Sequence, residues 1–166
     1  GIIVYWSKYG SAKKYAQWLH EETGFTMRRS SRPFGRSLKT AQIIIAGGSI
    51  RAGKLMIAPW IKRHWEKIRH AKVIVYSTSG FPPDDMSIQD IWHKSLPAAI
   101  RNACEFIPLP GKLDFGKLKF FDKLIMYIYA QLINDKEVKE GMIKGFDAMD
   151  KYALQPILDS VKLKKK

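Results

Sequence analysis

The chain of 166 residues carries 29 lysines and arginines against 15 acidic residues, a net charge of +14. Its 46% hydrophobic content is that of a globular core, in one domain spanning residues 1–166, and its single cysteine, Cys104, excludes an internal disulfide framework. So basic a balance favours anionic partners: nucleic acid, an anionic membrane surface or acidic metabolites.

The first strand is the apolar run at 2–6. It stops at Ser7, Lys8, Tyr9, Gly10, Ser11 and Ala12, and an amphipathic helix follows with Ala12, Tyr15, Ala16 and Leu19 on one face. A hydroxyl- and glycine-bearing loop that opens onto a helix N-terminus is an anion pocket in prospect, because free N–H groups and the positive dipole end converge there. A weaker strand is expected at 25–29, then stronger ones at 42–47, 72–78 and 104–109. The strong runs are nearly continuous in apolar residues. That pattern belongs to strands covered on both faces, hence to a parallel sheet between helices.

A helix over 59–69 opens on Pro59 and turns Ala58, Ile61, Trp65 and Ile68 inward. Ser87 and Asp90 form a capping-box-like start for a helix over 88–95, and Pro97 opens another short one. The last helix is expected over 147–161, kinked at Pro156, with Phe146, Met149, Ala153 and Ile157 inside. The order β-α-β-β-α-β-α-β, then an insertion at about 110–135, then α, predicts a doubly wound sheet. Within the insertion, 120–133 is apolar almost all round and has Lys112, Lys117, Lys119 and Lys123 at its entrance. It is shorter than the roughly 20 residues that span a bilayer. It reads either as a helix buried in the core or in a homo-oligomer interface, or as one facing membrane or quinone.

Three strand ends carry small or flexible residues: 7–12, 47–53 and 77–83. In open α/β sheets, ligands bind beyond such carboxyl ends at the topological switch point. Other phosphate-binding patterns fail on single residues. The stretch 48–54 approaches a nucleotide P-loop, but Leu55 stands where a magnesium-binding hydroxyl is needed. The first turn lacks the dinucleotide-binding glycine pattern. The ends of the first and third strands hold Ser7 and Gly47, where a receiver domain has aspartates. His20, His64, His70 and His93 have no ligand spacing, so no metal site is expected, and no nucleic-acid-binding signature is present.

On these residues the chain resembles the flavodoxin fold. The loop at 7–12 resembles that family's FMN phosphate loop, with Ala12 where Thr or Ser is usual. The loss of one hydroxyl donor there implies weaker phosphate binding. The loops holding Ser49, Ile50, Arg51, Ala52 and Gly53 and holding Ser77, Thr78, Ser79, Gly80 and Phe81 resemble the two that sandwich the isoalloxazine ring. Ser-Lys-Tyr-Gly-Ser at 7–11, Gly-Gly-Ser-Ile-Arg-Ala-Gly at 47–53 and the run at 109–126 are similar to menaquinone-dependent protoporphyrinogen IX dehydrogenases.

The resemblance implies a flavodoxin-like three-layer α/β fold with a five-stranded parallel sheet, order 2-1-3-4-5. It also implies FMN, a quinone or other redox partner, and an oxidoreductase in which Arg51 is the catalytic candidate. Two alternatives stay open: an electron carrier of flavodoxin type, and a flavin-free binding module on the same fold. No basic-then-apolar leader precedes the first strand. The expected location is cytoplasmic, peripheral on the inner face of the cell membrane, with the basic face and residues 112–133 toward anionic lipid.

Overall fold

The structure, a computed structural model, describes residues 1–114, 116, 118, 123 and 145–162. The helix expected over 120–133 and the lysine tail at 163–166 lie outside the described residues. In chain order the elements are β1 (Ile2–Trp6), α1 (Ser11–Thr23), β2 (Thr26–Arg29), α2 (Ser37–Thr40), β3 (Ile43–Arg51), β4 (Lys54–Leu55) and α3 (Ala58–Ile68). There follow β5 (Lys72–Ser79), α4 (Met86–Ser95), α5 (Ala98–Arg101), β6 (Cys104–Pro110), β7 (Lys112–Leu113), β8 (Phe146–Asp147), a 3-10 turn (Tyr152–Leu154) and α6 (Gln155–Lys162).

The main sheet runs β2-β1-β3-β5-β6 and every neighbouring pair is parallel. This is the expected order 2-1-3-4-5, because β4 stands off the path as a short antiparallel partner of β3. Side chains alternate across each strand, so two cores form. On one face Val4, Ile44, Ala46, Val73 and Val75 meet Leu38 of α2, Ile61 and Ile68 of α3 and Trp92 of α4. On the other, Ile3, Ile45, Ile74 and Tyr76 meet Ala12, Tyr15, Ala16 and Leu19 of α1 and Ile157 and Val161 of α6. The apolar stripes of α1 and α3 dictate this placement: Leu19 and Ile61 are fully buried.

Several boundaries correct the sequence reading. β3 and β5 overrun their expected ends at 47 and 78, so Gly48–Arg51 and Ser79 are strand rather than loop. Gly47 and Gly48 serve close approach and not a turn. A Cβ on Gly47 would land in the Tyr76 ring, and one on Gly48 would come within 2.8 Å of Ile57. The turn itself is two residues, Ala52 (φ 46°) and Gly53 (φ 68°), joining β3 to β4. Positive φ at both positions is what a type I′ hairpin requires.

The last helix begins at Gln155 and not at residue 147, so Pro156 does not kink it. The proline sits in the first turn, where its missing N–H costs nothing. Phe146–Asp147 instead form β8 and Tyr152–Leu154 the 3-10 turn. The cap of α4 is Asp85, whose side chain accepts a hydrogen bond from the Ser87 N–H at 2.8 Å, and the Ser87–Asp90 box is not used. Between β2 and β3 the structure adds the single turn α2. Cys104 is half-buried against the first core, and burial pushes its thiol up to about 12.

Candidate functional site at the strand ends

Strands β1, β3 and β5 are neighbours, with Trp6 opposite Gly48 and Ser49 opposite Thr78. The three strand ends singled out above therefore share one rim of the sheet. The Thr78 hydroxyl donates to the Ser49 Oγ at 3.4 Å, which joins the second and third of them directly.

The first is the turn between β1 and α1. Gly10 caps the helix at φ 105°, a left-handed conformation that glycine adopts without strain. The Gly10 N–H donates to the Ser7 Oγ at 3.1 Å, and the first helical bond is Lys14 N–H to Gly10 C=O. The N–H groups of Ser11, Ala12 and Lys13 precede that bond and are the orphan donors of the first turn. Beside them lies a cavity of about 160 Å³ lined by Tyr5, Ser7, Lys8, Gly10, Lys13 and Arg29, with no acidic residue in its wall among the described residues. Basic side chains, a glycine turn and a helix N-terminus are the donor set that a phosphate monoester needs, so these residues fit the phosphate end of FMN.

Two expectations for this loop are corrected. The Ser11 hydroxyl does not face the cavity: it donates to the Lys112 C=O at 3.4 Å and accepts from the Lys112 N–H at 3.3 Å. The methyl of Ala12 is fully buried in the core with Tyr15 and Tyr76, and its carbonyl accepts from the Tyr76 hydroxyl at 2.7 Å. Position 12 is thus a packing position, and the hydroxyl missing there is not missing from the cavity wall. Lys8 lies over the Tyr9 ring, 5.2 Å from its centre, and Tyr9 is exposed.

At the second strand end, Ser49, Ile50 and Arg51 are half-buried, while Ala52 and Gly53 form the exposed hairpin tip. The hairpin is tied to α4 through the Leu55 N–H, which donates to the Ser95 Oγ at 3.2 Å. At the third, Ser77, Thr78 and Ser79 are buried, so Gly80 and Phe81 are what this turn presents at the rim. Ser79 closes the turn: its Oγ donates to the Phe81 C=O at 3.0 Å and accepts from the Phe81 N–H at 3.2 Å. The Ser77 Oγ is buried without a hydrogen-bond partner among the described residues.

The returning chain completes the rim. β7 and β8 pair antiparallel, Lys112 with Asp147 and Leu113 with Phe146. A Cβ on Gly80 would come within 2.9 Å of the Phe146 ring, and one on Gly111 would strike the Ser79 carbonyl. Tyr15 pins this return to α1. Its hydroxyl donates to the Pro110 C=O at 2.8 Å and accepts from the Asp150 N–H at 3.1 Å, and burial raises its pKa above the usual phenol value.

The Lys112 Nζ donates to the Asp147 Oδ2 at 2.6 Å, which holds Asp147 below and Lys112 above their ordinary values. The Asp147 contribution is present above the ordinary carboxylate range and is lost as pH falls through its lowered value. The Lys112 contribution is present below the ordinary lysine range and is lost as pH rises through its raised value. Both groups are about half exposed, so the effect is small. Asp147→Asn is expected to lower the urea midpoint slightly at neutral pH, and the difference from the parent protein should close in acid. Urea titrations at a series of pH values check this.

Sequence reasoning missed Tyr5, Lys13 and Arg29 as cavity residues. The available signal was topological: in order 2-1-3, the arginines that end β2 arrive beside the end of β1.

The chain belongs to the flavodoxin domain family, whose model matches residues 2–139. Membership supports binding of a flavin, FMN, and a redox role. Among solved structures, a flavodoxin, WrbA-like protein from Agrobacterium tumefaciens is 16% identical with a TM-score of 0.52, covering 73% of this chain and 85% of that one. A flavodoxin from the domain Archaea is 16% identical with a TM-score of 0.42, covering 86% and 92%. A flavoprotein from Lactobacillus acidophilus, in complex with FMN, is 13% identical with a TM-score of 0.45, covering 66% and 90%. At 16% identity the likeness to the Agrobacterium protein is one of fold. No curated protein sequence matches the chain. Among the described residues no group of His, Cys, Asp and Glu is placed to hold a metal ion, and no helix is long and apolar enough to cross a membrane.

Proposed function

We propose that the protein is an FMN-dependent oxidoreductase of the kind that oxidises protoporphyrinogen IX and passes the electrons to a quinone. The observation that carries the FMN part is the convergence of three strand ends on one rim, with a basic cavity at the first. The substrate and acceptor rest on the likeness of residues 7–11, 47–53 and 109–126 to the quinone-linked dehydrogenases.

In this reading the N–H groups of Ser11, Ala12 and Lys13 and the Ser7 hydroxyl bind the phosphate. Lys8, Lys13 and Arg29 balance its charge. Ser49, Ile50 and Arg51 hold one side of the ring system; Gly80 and Phe81 hold the other. The bound flavin supplies the redox chemistry. Arg51, beside the hairpin tip, offers a fixed positive charge to an electron-rich ring edge or to a substrate carboxylate. The net charge of +14 and the lysines at 112, 117, 119 and 123 suit docking on an anionic membrane, where a quinone resides.

The test begins with visible spectra of the purified protein with and without FMN, where a bound, shifted flavin spectrum is expected. Anaerobic turnover of protoporphyrinogen with a menaquinone analogue follows, for the parent protein and for one in which a short linker joins Asp114 to Gly145. The shortened protein keeps β7, β8 and the rim, so it should hold FMN yet lose turnover with quinone. Failure to bind FMN sinks the whole reading and leaves a flavin-free binding module. FMN binding without porphyrinogen oxidation makes the protein an electron carrier. Turnover unaffected by the shortening removes the segment after Asp114 from the quinone reaction.

A further inference from the structure

On the side of the phosphate cavity away from β3 and β5, a larger cleft of about 610 Å³ opens between the ends of β1 and β2. It is lined by Tyr5, Met27, Arg28, Arg29, Arg32 and Pro33. The local fold builds it. The Ser30 N–H donates to the Tyr5 C=O at 2.9 Å, carrying the β1–β2 pairing one residue past the strand end. The Arg32 N–H then donates to the Arg29 C=O at 2.9 Å, a tight turn that keeps both arginines on one wall. The Arg28 Nη1 donates to the Pro33 C=O at 2.9 Å, which fixes that guanidinium across the turn.

Three arginines thus stand in a concave wall whose remaining surface is Tyr5, Met27 and Pro33. Among the described residues no acidic side chain lines this cleft or the smaller cavity beside it, and the two share Tyr5 and Arg29. Charged residues on an edge strand such as β2 serve to discourage edge pairing. That role needs neither a cleft nor arginines gathered on one turn. Of the proposed reaction, the FMN phosphate has its own donors, with Arg29 shared among them, and a quinone head is uncharged; only the carboxylates of a porphyrinogen are anions of the kind that Arg28 and Arg32 would meet. Arginine forks in a partly apolar hollow suit planar, bidentate anions on a flat or apolar body.

We propose that this cleft is a second ligand site, for a small organic anion that carries two or more carboxylate or phosphate groups on an apolar body, bound next to the phosphate loop. The site goes beyond the FMN reading and stands without it.

Naphthalene dicarboxylate and ADP serve as the carboxylate and phosphate probes, titrated by calorimetry into the full chain with saturating FMN and without it. At least one probe should bind with one-to-one stoichiometry, and the better of the two identifies the anion class. Arg28 and Arg32 line only the larger cleft, so Arg28→Gln with Arg32→Gln should weaken that probe about tenfold or more and leave the FMN midpoint within about twofold. Arg32→Lys should restore part of the loss. Lys62→Gln, an exposed charge on α3, should change nothing. The proposal falls if neither probe binds, if the arginine variants bind as well as the parent, or if Lys62→Gln weakens binding equally. It also falls if FMN displaces the probe mole for mole, for the cleft is then part of the flavin's own site. Arginine-dependent probe binding by a protein that takes up no FMN would overturn the flavin reading and leave this site standing.

Discussion

Gly47→Ala will lower the stability of the fold by about 3 kcal/mol or more. The added methyl falls within the space of the Tyr76 ring. That ring cannot step aside, because Tyr76 is fully buried among Ile3, Ala12, Tyr15 and Ile74, and its hydroxyl is anchored on the Ala12 carbonyl at 2.7 Å. Displacing it costs both the overpacking strain and the buried hydrogen bond of the Tyr76 hydroxyl. For a domain of this length the melting temperature should fall by roughly 6–12 °C, read by thermal denaturation monitored by circular dichroism. Tyr76→Leu combined with Gly47→Ala should recover part of the loss that the two single changes predict together, since the residues share one space. A melting point for Gly47→Ala equal to that of the parent protein would contradict the close approach of β3 and β5.

Lys13→Glu will weaken FMN binding by about ten- to a hundredfold. Lys13 contributes its N–H to the first turn of α1 and its side chain to the cavity wall, and the substitution sets a like charge against the phosphate. The side chain is exposed and packs in neither core, so the fold should be retained. Quenching of flavin fluorescence on titration measures the change. Riboflavin, which lacks the phosphate, provides the control, because its affinity should be the same for both proteins. Equal FMN affinity would remove the β1–α1 turn from the cofactor site.

The two predictions draw on different kinds of sequence signal. The runs at 2–6, 42–47 and 72–78 were legible as buried parallel strands because no polar residue interrupts them, and α1 was legible because Ala12, Tyr15, Ala16 and Leu19 keep helical spacing. The ends of β3 and β5 were legible only as far as residues 47 and 78 for one reason: Gly47-Gly48 and Ser77-Thr78-Ser79 have loop composition. Glycine marks a turn or a close approach with equal ease, and only the facing Tyr76 and Ile57 decide which. Pro156 was ambiguous in the same way, since kink and helix start depend on where the preceding chain goes.

At the rim, the phosphate loop was visible as a local motif. Arg29, by contrast, reaches the cavity only because β2 pairs with β1, and Ser11 is drawn away by a backbone 101 residues further on. Such tertiary partners have no local trace in the chain.

The Tyr15 hydroxyl reaches Pro110 and Asp150, residues 95 and 135 positions ahead of it. On the ribosome, then, α1 emerges long before the groups that lock it in place. Tyr15 must wait with its polar end unmatched until Asp150 has been made, so closure of the rim follows the early local events and is not one of them.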